Sequence, residues 1–112
     1  MDKYKKRILI DLDGVLNNYS GEFQTDSIPE IKEGAKEFIK ELHKKYELYL
    51  FTSRNLLLSA KWLIAHKLDN YFADITNIKI PAYLHIDDRA INFKGDFKIA
   101  LNEIKNFEAY WK

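Results

Sequence analysis

The chain has no cysteine among its 112 residues. Disulfides, thiolate chemistry and Cys-ligated zinc are excluded, and a reducing compartment is expected. It has only two prolines and four glycines, which excludes a collagen-like chain. It carries no excess of one charge: 18 basic residues stand against 17 acidic ones, a formal net charge of +1. Nucleic acid is therefore not indicated as a partner, because its binders are usually strongly basic. No apolar run approaches the ~18 residues of a membrane span, so no membrane partner is expected. Lys3, Lys5, Lys6 and Arg7 precede an apolar stretch, as in a secretory leader. Asp11 and Asp13 interrupt that stretch after Ile8, Leu9 and Ile10. No secretory apolar core follows, and the expected location is cytoplasmic.

What is present is core material: 46% apolar residues, 14% of the chain being aromatic. A chain of this length is expected to form a single domain over residues 1–112, with no linker, repeat or low-complexity block. Residues 7–12 are a short apolar run ending in carboxylates, the pattern of a buried parallel strand. Residues 14–28 are rich in Gly, Asn, Ser and Asp and read as a loop. Pro29 suits a first helical position, and Ile31, Ala35, Phe38, Ile39, Leu42 and Tyr46 recur at helical spacing. Residues 48–51 form a second strand closed by Thr52 and Ser53. Ser53 or Asn55 can cap a helix over residues 56–67. Residues 72–76 and 83–86 read as further strands and 90–93 as a short last one. Asp96 can cap a closing helix that carries Ile99, Ala100, Ile104, Phe107 and Trp111. Alternating strands and helices predict an α/β fold with a mainly parallel sheet of about five strands.

In parallel sheets chemistry gathers at the carboxyl ends of strands. Asp11 and Asp13 close the first strand, and Asp87 and Asp88 close the strand at 83–86. If those strands are neighbours, the four carboxylates share one rim. Such a cluster needs protons or a cation. Oxygen ligands without Cys or a suitably placed His favour Mg²⁺. Thr52 and Lys79 exceed what a metal site requires, and beside a cation they suit an anionic phosphoryl group. An ionised Asp can attack phosphorus, and a second Asp can serve the leaving group.

These residues carry a resemblance. Asp11-Leu12-Asp13-Gly14-Val15 resembles the first motif of the haloacid dehalogenase superfamily. Leu50-Phe51-Thr52 resembles the second motif, Lys79 stands where the third-motif lysine is expected, and Ile86-Asp87-Asp88 resembles the acidic fourth. The motifs occur in order over nearly the whole chain, with Ile80 where many relatives have proline after the lysine. The resemblance implies a three-layer α/β/α, Rossmann-like domain and a Mg²⁺-dependent phosphatase working through an aspartyl-phosphate. It implies Asp11 as nucleophile and metal ligand. Asp13 would be the general acid and base, with its backbone carbonyl on the metal. Thr52 and Lys79 would hold phosphoryl oxygens, and Asp87 and Asp88 would complete the metal site. Thirty-eight residues separate Asp13 from Thr52 and 26 separate Thr52 from Lys79, so neither interval holds a cap domain. A capless site is open to a phosphorylated substrate, small or macromolecular, or is closed by a second copy in a homo-oligomer. Ser53, Arg54 and Tyr19 are further candidate substrate contacts.

Each feature also has an ordinary reading. Asp-x-Asp-Gly can be a turn, Asp87-Asp88 can cap a helix or pair with Arg89, and Thr52 can bond the next turn. Lys79 can be a solvated lysine, and Arg54 can pair with a carboxylate. His85 reads as a hydrogen-bonded core residue, and Tyr110 and Trp111 as packing of a terminal helix. Two other functions compete. A receiver domain uses similar groups in a different chain order, and a non-catalytic metal- or phosphate-binding module would keep the fold without turnover.

Overall fold

The structure is a computed structural model that describes residues 5–112. Lys3 lies outside the described residues. The elements are β1 (Lys6–Asp11), α1 (Ala35–His43), β2 (Tyr46–Phe51) and α2 (Leu56–Ala65), then a 3-10 turn (Asp69–Tyr71), β3 (Asp74–Thr76), β4 (Leu84–Ile86) and α3 (Phe97–Lys105). The four strands form one parallel sheet in the order β3-β2-β1-β4.

The β1–β2 and β2–β3 crossovers advance in the same direction. Right-handed connections therefore put α1 and α2 on one face of the sheet. Ile8, Ile10, Leu48 and Leu50 meet Ala35, Ile39, Trp62 and Leu63 there in one buried cluster. Each fully buried Leu or Ile contributes roughly 1.5–3 kcal/mol. The alternate residues Arg7, Leu9 and Tyr49 face the other way. On that side Arg7 lies over the Tyr49 ring, pairs with Glu47 at 3.1 Å and donates to the Pro81 carbonyl at 3.2 Å. The connection from β3 to β4 is thereby tied to the sheet.

Three expectations are corrected. Among the described residues the sheet has four strands, not five, because residues 90–93 form no strand. The first helix begins at Ala35 rather than near Pro29. Ile31 instead makes an antiparallel bridge with Asn17, and Gly34 turns the chain into α1 with a left-handed φ of 87°. His85 is exposed, because β4 is an edge strand and leaves it without a covering layer.

The helix starts follow their caps. Asn55 Oδ1 accepts from Leu58 N at 3.0 Å, and Asp96 Oδ1 accepts from Lys98 N at 2.8 Å and Ile99 N at 3.1 Å. α3 is amphipathic yet has no buried residue. Among the described residues no helix is long and apolar enough to cross a membrane.

Candidate metal centre

β1 ends on Asp11, and Ile10 stands opposite Ile86 in the parallel pairing with β4. Asp87 and Asp88 therefore leave the sheet beside Asp11. One carboxylate oxygen from each of Asp11, Asp87 and Asp88 lies within 4.8 Å of the others. Asp11 and Asp88 are half-buried and Asp87 is exposed. Burial, first of all, pushes the Asp11 carboxyl up to about 8. The Asp87 charge adds to this, followed by the hydrogen bond with Asp88 and the Asp88 and Asp13 charges. Three acidic groups this close resist full ionisation unless a cation joins them. An all-oxygen donor set at this spacing fits a hard divalent cation such as Mg²⁺.

A pH dependence follows for the metal-free protein. Between the ordinary Asp value of 3.8 and about 8, the folded chain keeps a proton on Asp11 that the unfolded chain has released. Where the native state binds more protons, stability falls as pH rises, and the decline flattens above the folded value. Thermal unfolding of the metal-free protein is expected to show a lower Tm at pH 8 than at pH 5. Added Mg²⁺ should raise Tm more at pH 8, where it replaces the proton. A metal-free Tm that climbs across that interval would contradict the cluster.

Asp13 stands apart from this cluster. Its carboxylate receives Arg54 Nε at 2.8 and 3.1 Å and Asn17 Nδ2 at 3.1 Å. Any role for Asp13 as a ligand rests on its backbone carbonyl, as the resemblance implies. Arg54 is only 3% exposed and also donates Nη1 to the carbonyls of Gln24 at 2.6 Å and Ser27 at 2.9 Å. Its Nη2 is buried with no hydrogen-bond partner, and its guanidinium lies 4.4 Å from the Phe23 ring centre. Arg54 is thus an internal clamp on Asp13 and the 23–27 loop, not a solvated arginine.

The first loop is more ordered than its composition suggests. Leu16 N bonds Leu12 O at 3.0 Å, making one helical turn directly after β1. Fully buried Asn17 then accepts from Gly14 N and Tyr19 N, both at 3.1 Å. The composition of residues 14–28 marks Asn17 only as a loop residue. Its only local signal was an Asx-type position four residues after Asp13.

Thr52 follows β2 at the same rim and is 2% exposed. Its hydroxyl accepts from Arg54 N at 3.1 Å, and its carbonyl accepts from Asn77 Nδ2, which also reaches Arg54 O at 3.0 Å. Ser53 is exposed. Lys79 is exposed on the connection before β4 and makes no ion pair within the described residues. Burial and then the Lys79 charge hold His85 below its usual value. The Asp87 charge acts on His85 in the opposite sense. Tyr19 is buried and meets Trp111 edge-to-face.

Tyr110 and Trp111 are not part of a terminal helix, which ends at Lys105. Tyr110 OH donates to Gly14 O, and Trp111 Nε1 donates to Asp88 Oδ2. No local pattern marks this, because the contacts span 96 and 23 residues.

Gly14 holds φ at +83°, and a Cβ there would overlap Asp88 Oδ2 and sit 2.9 Å from Trp111 Nε1. Gly14→Ala is expected to cost about 1–2 kcal/mol from the backbone alone. It should also push Asp88 out of place. Denaturant unfolding checks the first effect and Mg²⁺ titration the second. A variant with unchanged stability and affinity would refute both.

No protein-family model matches the chain, and no curated protein matches it. Two solved structures resemble it. A conserved protein of Bacteroides thetaiotaomicron shares 26% identity, with 96% of this chain and 95% of that one covered at a TM-score of 0.61. An uncharacterized protein from Listeria monocytogenes serotype 4b shares 16% identity at a TM-score of 0.51. The match covers 89% of this chain but 61% of that one, and it concerns the fold alone. The chain is α/β with a four-stranded parallel sheet, and its architecture recurs nearly end to end in the Bacteroides protein.

Proposed function

We propose that the chain is a Mg²⁺-dependent phosphohydrolase of the haloacid dehalogenase type, acting on a phosphate monoester through an aspartyl-phosphate. The observation that carries this reading is the meeting of Asp11, Asp87 and Asp88 within 4.8 Å at the carboxyl ends of β1 and β4. The order of the motifs adds to it. In this reading the domain is a three-layer α/β/α, Rossmann-like fold without a cap, and it works in the cytoplasm.

Asp11 and the side chains of Asp87 and Asp88 would hold the cation, together with the Asp13 carbonyl. Mg²⁺, when bound, neutralises the clustered carboxylates and the phosphoryl oxygens. An Asp11 oxygen attacks phosphorus while the bond to the ester oxygen breaks. The departing oxygen takes a proton from Asp13. Water then attacks the same phosphorus and gives a proton to Asp13. The bond from phosphorus to Asp11 breaks, inorganic phosphate leaves and the Asp11 carboxylate returns. Arg54 fixes the Asp13 carboxylate for both transfers. Thr52 and Lys79 hold phosphoryl oxygens, with Ser53 and Tyr19 at the edge of the substrate site.

The test is hydrolysis of para-nitrophenyl phosphate with and without Mg²⁺. Metal-dependent turnover is expected. Lys79 is exposed and makes no ion pair among the described residues, which leaves one alternative, a non-catalytic metal- or phosphate-binding module. Mg²⁺ binding without turnover of any phosphate ester would establish that alternative and overturn the hydrolase.

A further inference from the structure

We propose that Trp111 is a positioning residue of the carboxylate centre. Its indole N–H orients Asp88 for the cation, and the segment of residues 109–112 is fastened over the centre to deliver it. The inference rests on the cation-binding part of the reading above and not on turnover.

The segment is tied down at several independent points. Tyr110 OH donates to Gly14 O, in the loop that follows Asp13. The Lys32 ammonium lies 5.2 Å from the Tyr110 ring centre. Ala109 is buried. The Trp111 ring stands edge-to-face on Tyr19, with centroids 5.2 Å apart and planes at 77°. Gly21 leaves room for the indole, since a Cβ there would come within 3.2 Å of its ring. These contacts hold the indole in one orientation, with its single donor on Asp88 Oδ2.

That donor suits the task chemically. A carboxylate has about four lone-pair sites, and an indole N–H is a donor only. Trp111 therefore occupies one site on Oδ2 and leaves Oδ1 and the remaining Oδ2 lone pair for a cation. It cannot act as a competing ligand. By engaging Asp88 it also offsets part of the repulsion from Asp11 and Asp87. Groups that hydrogen-bond to a ligating carboxylate typically alter metal affinity about 10–100-fold.

The experiment compares wild type, Trp111→Phe and Trp111→Ala by calorimetric titration with Mg²⁺. Phe keeps a ring against Tyr19 and Gly21 but has no N–H. Both variants are expected to lose affinity by about 10–100-fold, and to similar extents, because they share the loss of the donor. Far-UV circular dichroism monitors their folding. A Phe variant that binds as wild type does would show that the ring alone matters and overturn the assignment. Tighter binding by either variant would show the indole obstructing the cation and overturn it equally. Wild-type protein provides a second readout. Mn²⁺ held by Asp88 should quench Trp111 emission over the concentration range in which calorimetry shows binding, and binding without quenching would refute the contact. Wild type that binds neither ion sinks both this inference and the phosphohydrolase. Wild type that binds Mg²⁺ but turns over no ester sinks the phosphohydrolase alone.

Discussion

Asp11→Asn is expected to reduce aryl-phosphate hydrolysis by ~10³-fold or more while making the metal-free protein more stable at pH 8. The two effects share a cause. Asp11 is the carboxylate that the site disfavours most, because it is partly buried and faces Asp87 and Asp88. A neutral amide of nearly the same shape removes that repulsion. It also removes the oxygen nucleophile, since an amide cannot form the acyl phosphate. Steady-state kinetics in Mg²⁺ and thermal unfolding in chelator measure the two arms. A variant as active as wild type would end the nucleophile assignment. Lower stability than wild type in chelator at pH 8 would contradict the carboxylate cluster.

The second large effect concerns Arg54. Arg54→Met is expected to destabilise the fold by about 3–5 kcal/mol, the usual cost of removing one partner from a buried ion pair. The side chains of Arg54 and Asp13 are 1% and 17% exposed, so water cannot fully replace the lost donor. The carbonyls of Gln24 and Ser27 lose their donor as well. Arg54→Lys should recover only part of the loss, because one ammonium cannot match a planar fork that spans a carboxylate and two carbonyls. Urea denaturation gives both values. A Met variant within about 1 kcal/mol of wild type would show the pair to be solvent-screened.

The legible parts of the molecule were those written locally. The run Ile8–Leu9–Ile10 ending at Asp11 marked a buried strand, and Asn55 and Asp96 cap the helices they were expected to cap. The carboxylates of Asp11, Asp87 and Asp88 meet because two strands run parallel and end level. Pro29 and Ile31 carry helical signals, but the bridge between Ile31 and Asn17 overrides them and α1 starts only at Ala35. The exposure of His85 was illegible because it depends on β4 lying at the edge of the sheet. Arg54 on Asp13 and Trp111 on Asp88 join segments 41 and 23 residues apart, and no spacing rule reaches them. Where Lys79 lies likewise depends on the path of the connection before β4, which has no helix to fix it.

α3 has no buried residue, whereas β1 and β2 lie at the centre of the apolar cluster. Local opening favours elements with little buried apolar area, so α3 can detach without unmaking the sheet. The chain that brings Trp111 to Asp88 passes directly through this helix. Asp11 is thus anchored in the most durable part of the molecule, while the indole lies beyond α3 in a segment held by its own contacts with Tyr19 and Asp88. Opening of α3 would leave the strand ends that carry Asp11 and Asp87 undisturbed.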